Sequence, residues 1–412
     1  MKYTGVCARG IVTPIFQKGD DLVSLVCDSV CRAANHEGFA LNDRDIIAVT
    51  EAVVGRTQGN YATCAQIAQD LRVKFAITGS AMNDKDGRSS NAPKDIDVLG
   101  LVFPILSRNR FSILLKAIAM SARKIIIQLS YPADEVGNSL FDPSMLEKVS
   151  VNPYSDSFDE AGFREVFGYE TFHQFTGVDY IKFYKSINSN IEIVFSNDPR
   201  YILRYTGNVL CCDIHSRGRT KALLRKAGAA KVLGLDDILS SGIEGSGYNA
   251  DYGLLGSNKA SEESVKLFPR DCTIFTEQLQ KALMEKTGKH FEVMVFGDGG
   301  FKDPQGGIWE LADPVVSPAY TAGLAGIPSE IKIKYLADSE FSKLSGEELA
   351  DAVREKIKSK DKDLVGKMVS EGTTPRKISD LLGSLSDLVS GSGDRGTPVV
   401  LIQNYFSNYA SE

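Results

Sequence analysis

The sequence predicts an α/β fold built on a parallel sheet, and three observations predict it. Residues 97–103 form an apolar, buried-type strand, 110–122 carry helical spacing, and 124–129 form a second apolar strand. Together they make a βαβ unit of about 30 residues, the usual length, and strands joined by such a crossover run parallel. The alternation then continues through strands at 180–184, 191–195 and 208–214, a helix at 220–228 and a short strand at 230–235, the pattern of an open α/β sheet. Finally, 412 residues with 43% apolar and 24% charged side chains is a globular composition. At about 100–200 residues per domain it suggests two or three domains and excludes disordered and collagen-like chains.

Each remaining element follows from its local pattern. Asp20 precedes apolar residues at Leu22, Val23, Val26 and Val30, and Gly38 supplies a stop, so a helix covers 20–34. Residues 45–54 read as a strand, 55–60 as a glycine-bounded loop and 63–71 as a helix. The polar stretch 83–94 is a linker and puts a domain boundary near 85–95; 240–247 is a second small-residue linker. The last third holds helices at 273–287, 346–358 and 378–389, with strands at 291–296 and 398–403.

Lys plus Arg number 47 against 53 for Asp plus Glu, a net charge of -6, so nothing global advertises nucleic acid or an anionic membrane as partner. The opening residues lack the apolar run of a signal peptide, and apolar stretches are interrupted within about ten residues, too short to span a bilayer. A soluble, cytoplasmic protein is expected. The seven cysteines form no CxxC pair, and adjacent Cys211 and Cys212 would point to opposite faces of a strand. They are expected to be reduced and mostly buried.

Three kinds of feature carry candidate chemistry. Acidic residues in small-residue turns recur beside strands: Asp251 in NADYG, Asp298 in FGDGG and Asp394 in GSGDRG. Carboxylates in such turns suit a hard divalent cation, although Asp and Gly also simply make turns. The loop Gly55, Arg56, Thr57, Gln58, Gly59, Asn60 offers a fixed cation and amide donors for phosphate or carboxylate, but no Walker loop occurs. Two predicted strand ends echo each other as Ser-Arg-x-Arg before a helix: Ser107, Arg108, Arg110, and Ser216, Arg217, Arg219. Helix N-termini with arginine forks beyond strand ends favour anions, so an anionic ligand is expected between them, with Ser107 and Ser216 capping their helices.

Taken in order, the segments RGIVTPIFQKGDDLVSLV (9–26), AVTEAVVGRTQGN (48–60), NADYGLLGSN (249–258), TGKHFEVMVFGDGG (287–300) and GSGDRGTPVVLI (391–402) resemble the coenzyme F-420 gamma-glutamyl ligases. The resemblance covers about 1–83 and 242–412, and implies an α+β ligase-like core split into parts at 1–84 and 242–412, with a Rossmann-like α/β domain inserted at 85–241. It implies nucleotide-dependent amide formation. A carboxylate attacks the γ-phosphate, an acyl phosphate forms, and the amine of a glutamate-like amino acid displaces phosphate. It further implies Mg²⁺ or Mn²⁺ with GTP or ATP as co-substrate, and a homodimer acting on a small-molecule carboxylate and an amino acid. Carried onto this chain, the metal ligands would be Asp251 and Asp298 and the anion clamp Arg56, with Gly55, Gln58, Asn258, Gly297, Gly299, Gly300 and Asp394 binding nucleotide or substrate. The chain departs from the family where it matters most. The Ser-Lys…Ala-Glu-Gly-Arg loop is replaced by 55–60, Asp251 comes two places early, and Asp298 is displaced by one.

Two rival readings stand beside this one. A protein that kept the ligase fold but lost its chemistry would bind a nucleotide or anionic metabolite. An oxidoreductase using the insertion for a dinucleotide is weakened because no GxGxxG follows a predicted strand.

Overall fold

The computed structural model describes residues 4–76, 94–297, 300–302, 309–311, 317–361, 364, 367–370, 376–391 and 393–411. The strands are β1 (Cys7–Ile11), β2 (Ile46–Thr50), β3 (Tyr61–Thr63), β4 (Ile96–Val102), β5 (Ala122–Leu129), β6 (Phe158–Asp159), β7 (Ile191–Phe195), β8 (Asn208–Cys211), β9 (Lys231–Gly234), β10 (Asn258–Ser261), β11 (Ser264–Lys266), β12 (Glu292–Phe296), β13 (Gly300–Lys302), β14 (Trp309–Leu311), β15 (Ala319–Tyr320) and β16 (Val399–Gln403). The helices are α1 (Leu22–Glu37), α2 (Glu51–Thr57), α3 (Cys64–Phe75), α4 (Arg110–Ala119), α5 (Glu160–Phe167), α6 (Tyr180–Ile187), α7 (Arg217–Lys226), α8 (Cys272–Thr287), α9 (Ile333–Asp338), α10 (Gly346–Lys358) and α11 (Ile378–Val389).

Two compact units result, one of Met1–Thr57, Asp271–Asp298 and Val315–Glu412, the other of Gln58–Arg270 and Gly299–Pro314. These limits lie away from 84 and 241, because β3 and α3 belong to the same unit as the βαβ sheet.

The first unit is organised by a five-stranded sheet of order β1-β16-β2-β12-β15. The last strand, β16, lies between β1 and β2, antiparallel to both, so the two ends of the chain close one sheet. Its central strands are apolar at nearly every position because both faces are covered. Ile47, Val49, Val293, Val295, Val399 and Leu401 enter one core, and the intervening Ile46, Ala48, Met294, Phe296, Val400 and Ile402 enter the other. Each fully buried aliphatic side chain contributes about 1.5–3 kcal/mol. Helix α1 adds Leu22, Val26, Cys27 and Val30 to the first of these cores. Asp21 caps it by accepting from the Ser24 N–H, and Gly38 ends it at φ 71°.

The second unit contains a six-stranded sheet of order β6-β7-β5-β4-β8-β9, parallel except for β6 at one edge. From β4 the chain runs outward through β5 to β7, then returns to the other side of β4 for β8 and β9. The strand order therefore reverses between β4 and β8. The period of two along a strand divides neighbours between cores: Ile125, Ile127 and Cys212 face one, Ile126 and Cys211 the other. All seven cysteines are free, and five are buried.

Two expected elements differ. Residues 180–184 form helix α6 rather than a strand. The aromatic run suggested β-propensity, but Tyr180, Ile181 and Tyr184 bury one helical face and Asp179 caps the start by accepting from the Lys182 N–H. The strand expected at 45–54 stops at Thr50, and α2 takes over. Val53, Val54 and Thr57 bury the helical side there, and the Thr57 hydroxyl donates to the Val53 and Val54 carbonyls. Gly55 and Arg56 thus lie in a helix and not in an open loop.

Candidate functional site

In the second unit, Gln58, Asn60 and Asn249 meet the segment 268–270. Asn60 is fully buried: its amide donates to the Tyr248 carbonyl at 3.0 Å and the Phe268 carbonyl at 2.8 Å, and its oxygen accepts from the Tyr248 N–H at 2.9 Å and an Arg270 guanidinium nitrogen at 3.2 Å. Gln58 exchanges both amide bonds with the Arg270 backbone, at 2.6 and 2.9 Å. Asn249 donates to the Phe268 and Pro269 carbonyls at 3.2 and 3.0 Å, and accepts from the Asp251 and Tyr252 N–H groups at 3.0 and 2.9 Å. The Arg270 guanidinium stacks 4.5 Å from the Tyr248 ring centroid. A Cβ on Gly247 would stand 2.4 Å from the Asn60 oxygen, so only glycine permits this packing. Both asparagines are thus committed to holding segment 268–270 in place, mainly through backbone groups. Arg270, Tyr248 and Gly247 were missed by sequence reasoning; the aromatic–glycine neighbourhood of NADYG was their one signal.

Asp251 is exposed, with its backbone N–H in the Asn249 turn. Asn258 lies apart, on β10 opposite Lys266. Gly297 is buried at the end of β12 in the first unit, and Gly300 begins β13, paired with Leu311. Asp298 and Gly299 lie outside the described residues.

In the first unit Arg56 is exposed, and its Nε donates to the Phe16 carbonyl at 2.6 Å, tying down the segment after β1. Asp394 is exposed in the turn between Gly391 and Thr397, whose backbones bridge, and the Gly396 carbonyl accepts from the Thr13 N–H at 3.1 Å. The first and last family-like segments are therefore hydrogen-bonded neighbours. A cavity of about 630 Å³ lies against β1 and α1, with Arg9, Arg32 and His36 among its walls, within the size range of ligand sites.

The two Ser-Arg-x-Arg segments follow β4 and β8, which are parallel neighbours at the strand-order reversal. After β4 the chain turns through Phe103 at φ 55°. Ser107 Oγ accepts from the Arg110 and Phe111 N–H groups at 3.0 and 3.1 Å, which caps α4 as expected, and Arg110 is buried. After β8 the wiring differs. Ser216 does not cap α7, since its hydroxyl faces the carboxylates of Glu135 at 2.7 Å and Asp213 at 2.9 Å. Arg217 is held by Asp236 at 3.3 Å and by the Ile214 carbonyl, whereas Arg219 is exposed. Burial raises the Asp213 carboxyl above its ordinary value, and the neighbouring Glu135 charge adds to the shift.

Across these segments the chain carries the sequence of an enzyme class, the ligases. It belongs to the F420-0:gamma-glutamyl ligase family, whose model matches residues 10–404. No curated protein matches it. Among the described residues no helix is long and apolar enough to cross a membrane.

The expected cofactor set, Mg²⁺ or Mn²⁺ with GTP or ATP, is corrected. GTP is the nucleotide that fits this family, so ATP falls away. Among the described residues no group of three or more His, Cys, Asp or Glu side chains could hold a metal ion, and Asp251 stands exposed in an asparagine turn. The described residues thus give no support for Mg²⁺ or Mn²⁺, and no step is assigned to either.

Proposed function

We propose that this protein is an amide ligase that joins a glutamate-like amino acid to a small-molecule carboxylate through an acyl phosphate, at the expense of GTP. The family match over 10–404 is the observation that carries the reading. The substrate carboxylate attacks the γ-phosphorus and GDP leaves; the amine then attacks the acyl carbon, phosphate departs, and the amine loses one proton. The segments at 1–84 and 242–412 carry this chemistry, and 85–241 is an accessory domain. The cavity against β1 and α1, with Arg9, Arg32 and His36, is suited to an anionic substrate. A homodimer in the cytoplasm belongs to the same reading.

Purified protein supplied with GTP, glutamate and a panel of carboxylates is expected to release phosphate only when acid and amino acid are both present, with a product heavier than the acid by one glutamyl residue. Arg32→Ala should raise KM for the anionic substrate about tenfold or more, the loss of one charge-assisted hydrogen bond. GTP binding without acid-dependent phosphate release would favour the second reading, a ligase-fold protein that binds a nucleotide or anionic metabolite. The early position of Asp251, exposed in the Asn249 turn, favours that alternative.

A further inference from the structure

The turn between β8 and α7 already holds an anion, and the anion belongs to the chain itself. The backbone N–H groups of Ile214, His215 and Ser216 all donate to the Glu135 carboxylate, at 3.1 Å for the latter two, and the Ser216 hydroxyl reaches it at 2.7 Å. Successive N–H groups at a helix start converge on one oxyanion in this way when they bind phosphate. Glu135 nevertheless comes from an exposed surface position in the segment after β5, so its displacement uncovers no core.

A second observation lies behind the nest. Asp213 is fully buried, and its Oδ2 faces the hydroxyls of Ser216 at 2.9 Å and Thr220 at 2.6 Å, while its Oδ1 has no hydrogen-bond partner. Leaving a buried carboxylate oxygen without a donor is costly, and natural sites supply one. A ligand hydroxyl would do so. The location is the crevice beyond the carboxyl ends of β4 and β8, where the strand order reverses and where open α/β sheets take their ligands.

From these observations we propose that the β8–α7 turn is a binding site for a phosphomonoester that also carries hydroxyl groups, such as a sugar phosphate, and that Glu135 is its built-in competitor. The phosphoryl group replaces the Glu135 carboxylate on the N–H groups of 214–216, and a hydroxyl donates to Asp213. The competition sets a threshold, since ligand binds only after displacing a tethered carboxylate.

The test is calorimetric titration of the full chain in low-chloride buffer, with orthophosphate and ribose 5-phosphate as probes. Glu135→Ala is expected to bind both at least tenfold more tightly than the unaltered chain, and ribose 5-phosphate more tightly than orthophosphate. Adding Ser216→Pro, which deletes one nest donor at the residue before the first turn of α7, should abolish the gain. Ser216→Ala, expected to reduce it, serves if the proline variant unfolds. The proposal is overturned if Glu135→Ala binds no better than the unaltered chain, if the gain survives both Ser216 changes, or if the sugar phosphate shows no advantage.

Discussion

The turn after β4 is met by buried Asp134 from the segment after β5: its carboxylate accepts from the Leu106 N–H of that turn at 2.8 Å, and from the Val136 and Asn138 N–H groups at 3.1 and 2.9 Å and the Asn138 side-chain amide at 3.1 Å in its own loop. After β8, buried Asp213 faces two hydroxyls through one oxygen and leaves the other without a partner. The two turns begin from the same Ser-Arg-x-Arg pattern on neighbouring strands, yet one is saturated by its own chain and the other is not. A repeated motif brings an N-terminus and arginines to a strand end; whether that end is a closed corner or an open site depends on which distant carboxylate and donors reach it.

The widest separation between the two ends should appear in stability. Asp134→Ala removes the acceptor for four donors, including the N–H of fully enclosed Leu106, and is expected to cost about 3 kcal/mol. Asp213→Asn, which gives the unpartnered end an amide and keeps an acceptor, should cost less than about 1 kcal/mol. Urea unfolding of both variants measures the difference, and equal losses would erase the contrast drawn here.

A smaller separation is expected between the serines. Ser107→Ala strips the cap from α4 and should lower stability by about 1–2 kcal/mol. Ser216 makes no cap bond, so Ser216→Ala should lower it by about 0.5 kcal/mol or less. Thermal unfolding that ranks the two in the opposite order would show that the β8 end is the more tightly built.

The finest effect concerns pH. Burial raises the Asp213 carboxyl above 3.8, so the folded chain keeps a proton that the unfolded chain has released. More protons are then bound in the folded state, and stability falls as pH rises from the unfolded value through the raised folded one. Asp134 is shifted in the same direction by the same cause, opposed by its four donors. Asp213→Asn should flatten part of this decline in a plot of Tm against pH on the alkaline side of the ordinary carboxyl value. An unchanged slope would mean that Asp213 is ionised alike in both states.

The sequence by itself determined a great deal of this protein. Mostly apolar runs at 97–103, 124–129, 191–195 and 398–403 declared strands with both faces covered, because a strand packed on one side only would alternate strictly. The order of the family-like segments was legible for a similar reason, since such motifs are local and survive the long stretch between them. The sequence put Gln58 and Asn60 in one loop and Asp251 in the NADYG turn as separate features; that 268–270 joins Gln58, Asn60 and Asn249 is seen only in the structure.

Tertiary structure alone decided the rest. Helix α6 overrode the strand preference of its aromatic residues because the packed face and the Asp179 cap outweigh local propensity. Strand order placed the two arginine segments side by side, a pairing no spacing along the chain encodes. Glu135, 79 residues before Ile214, bore no mark of a ligand in the sequence. It meets the nest only because β5 and β8 flank β4 in a parallel sheet, which brings the segments following these strands to the same end.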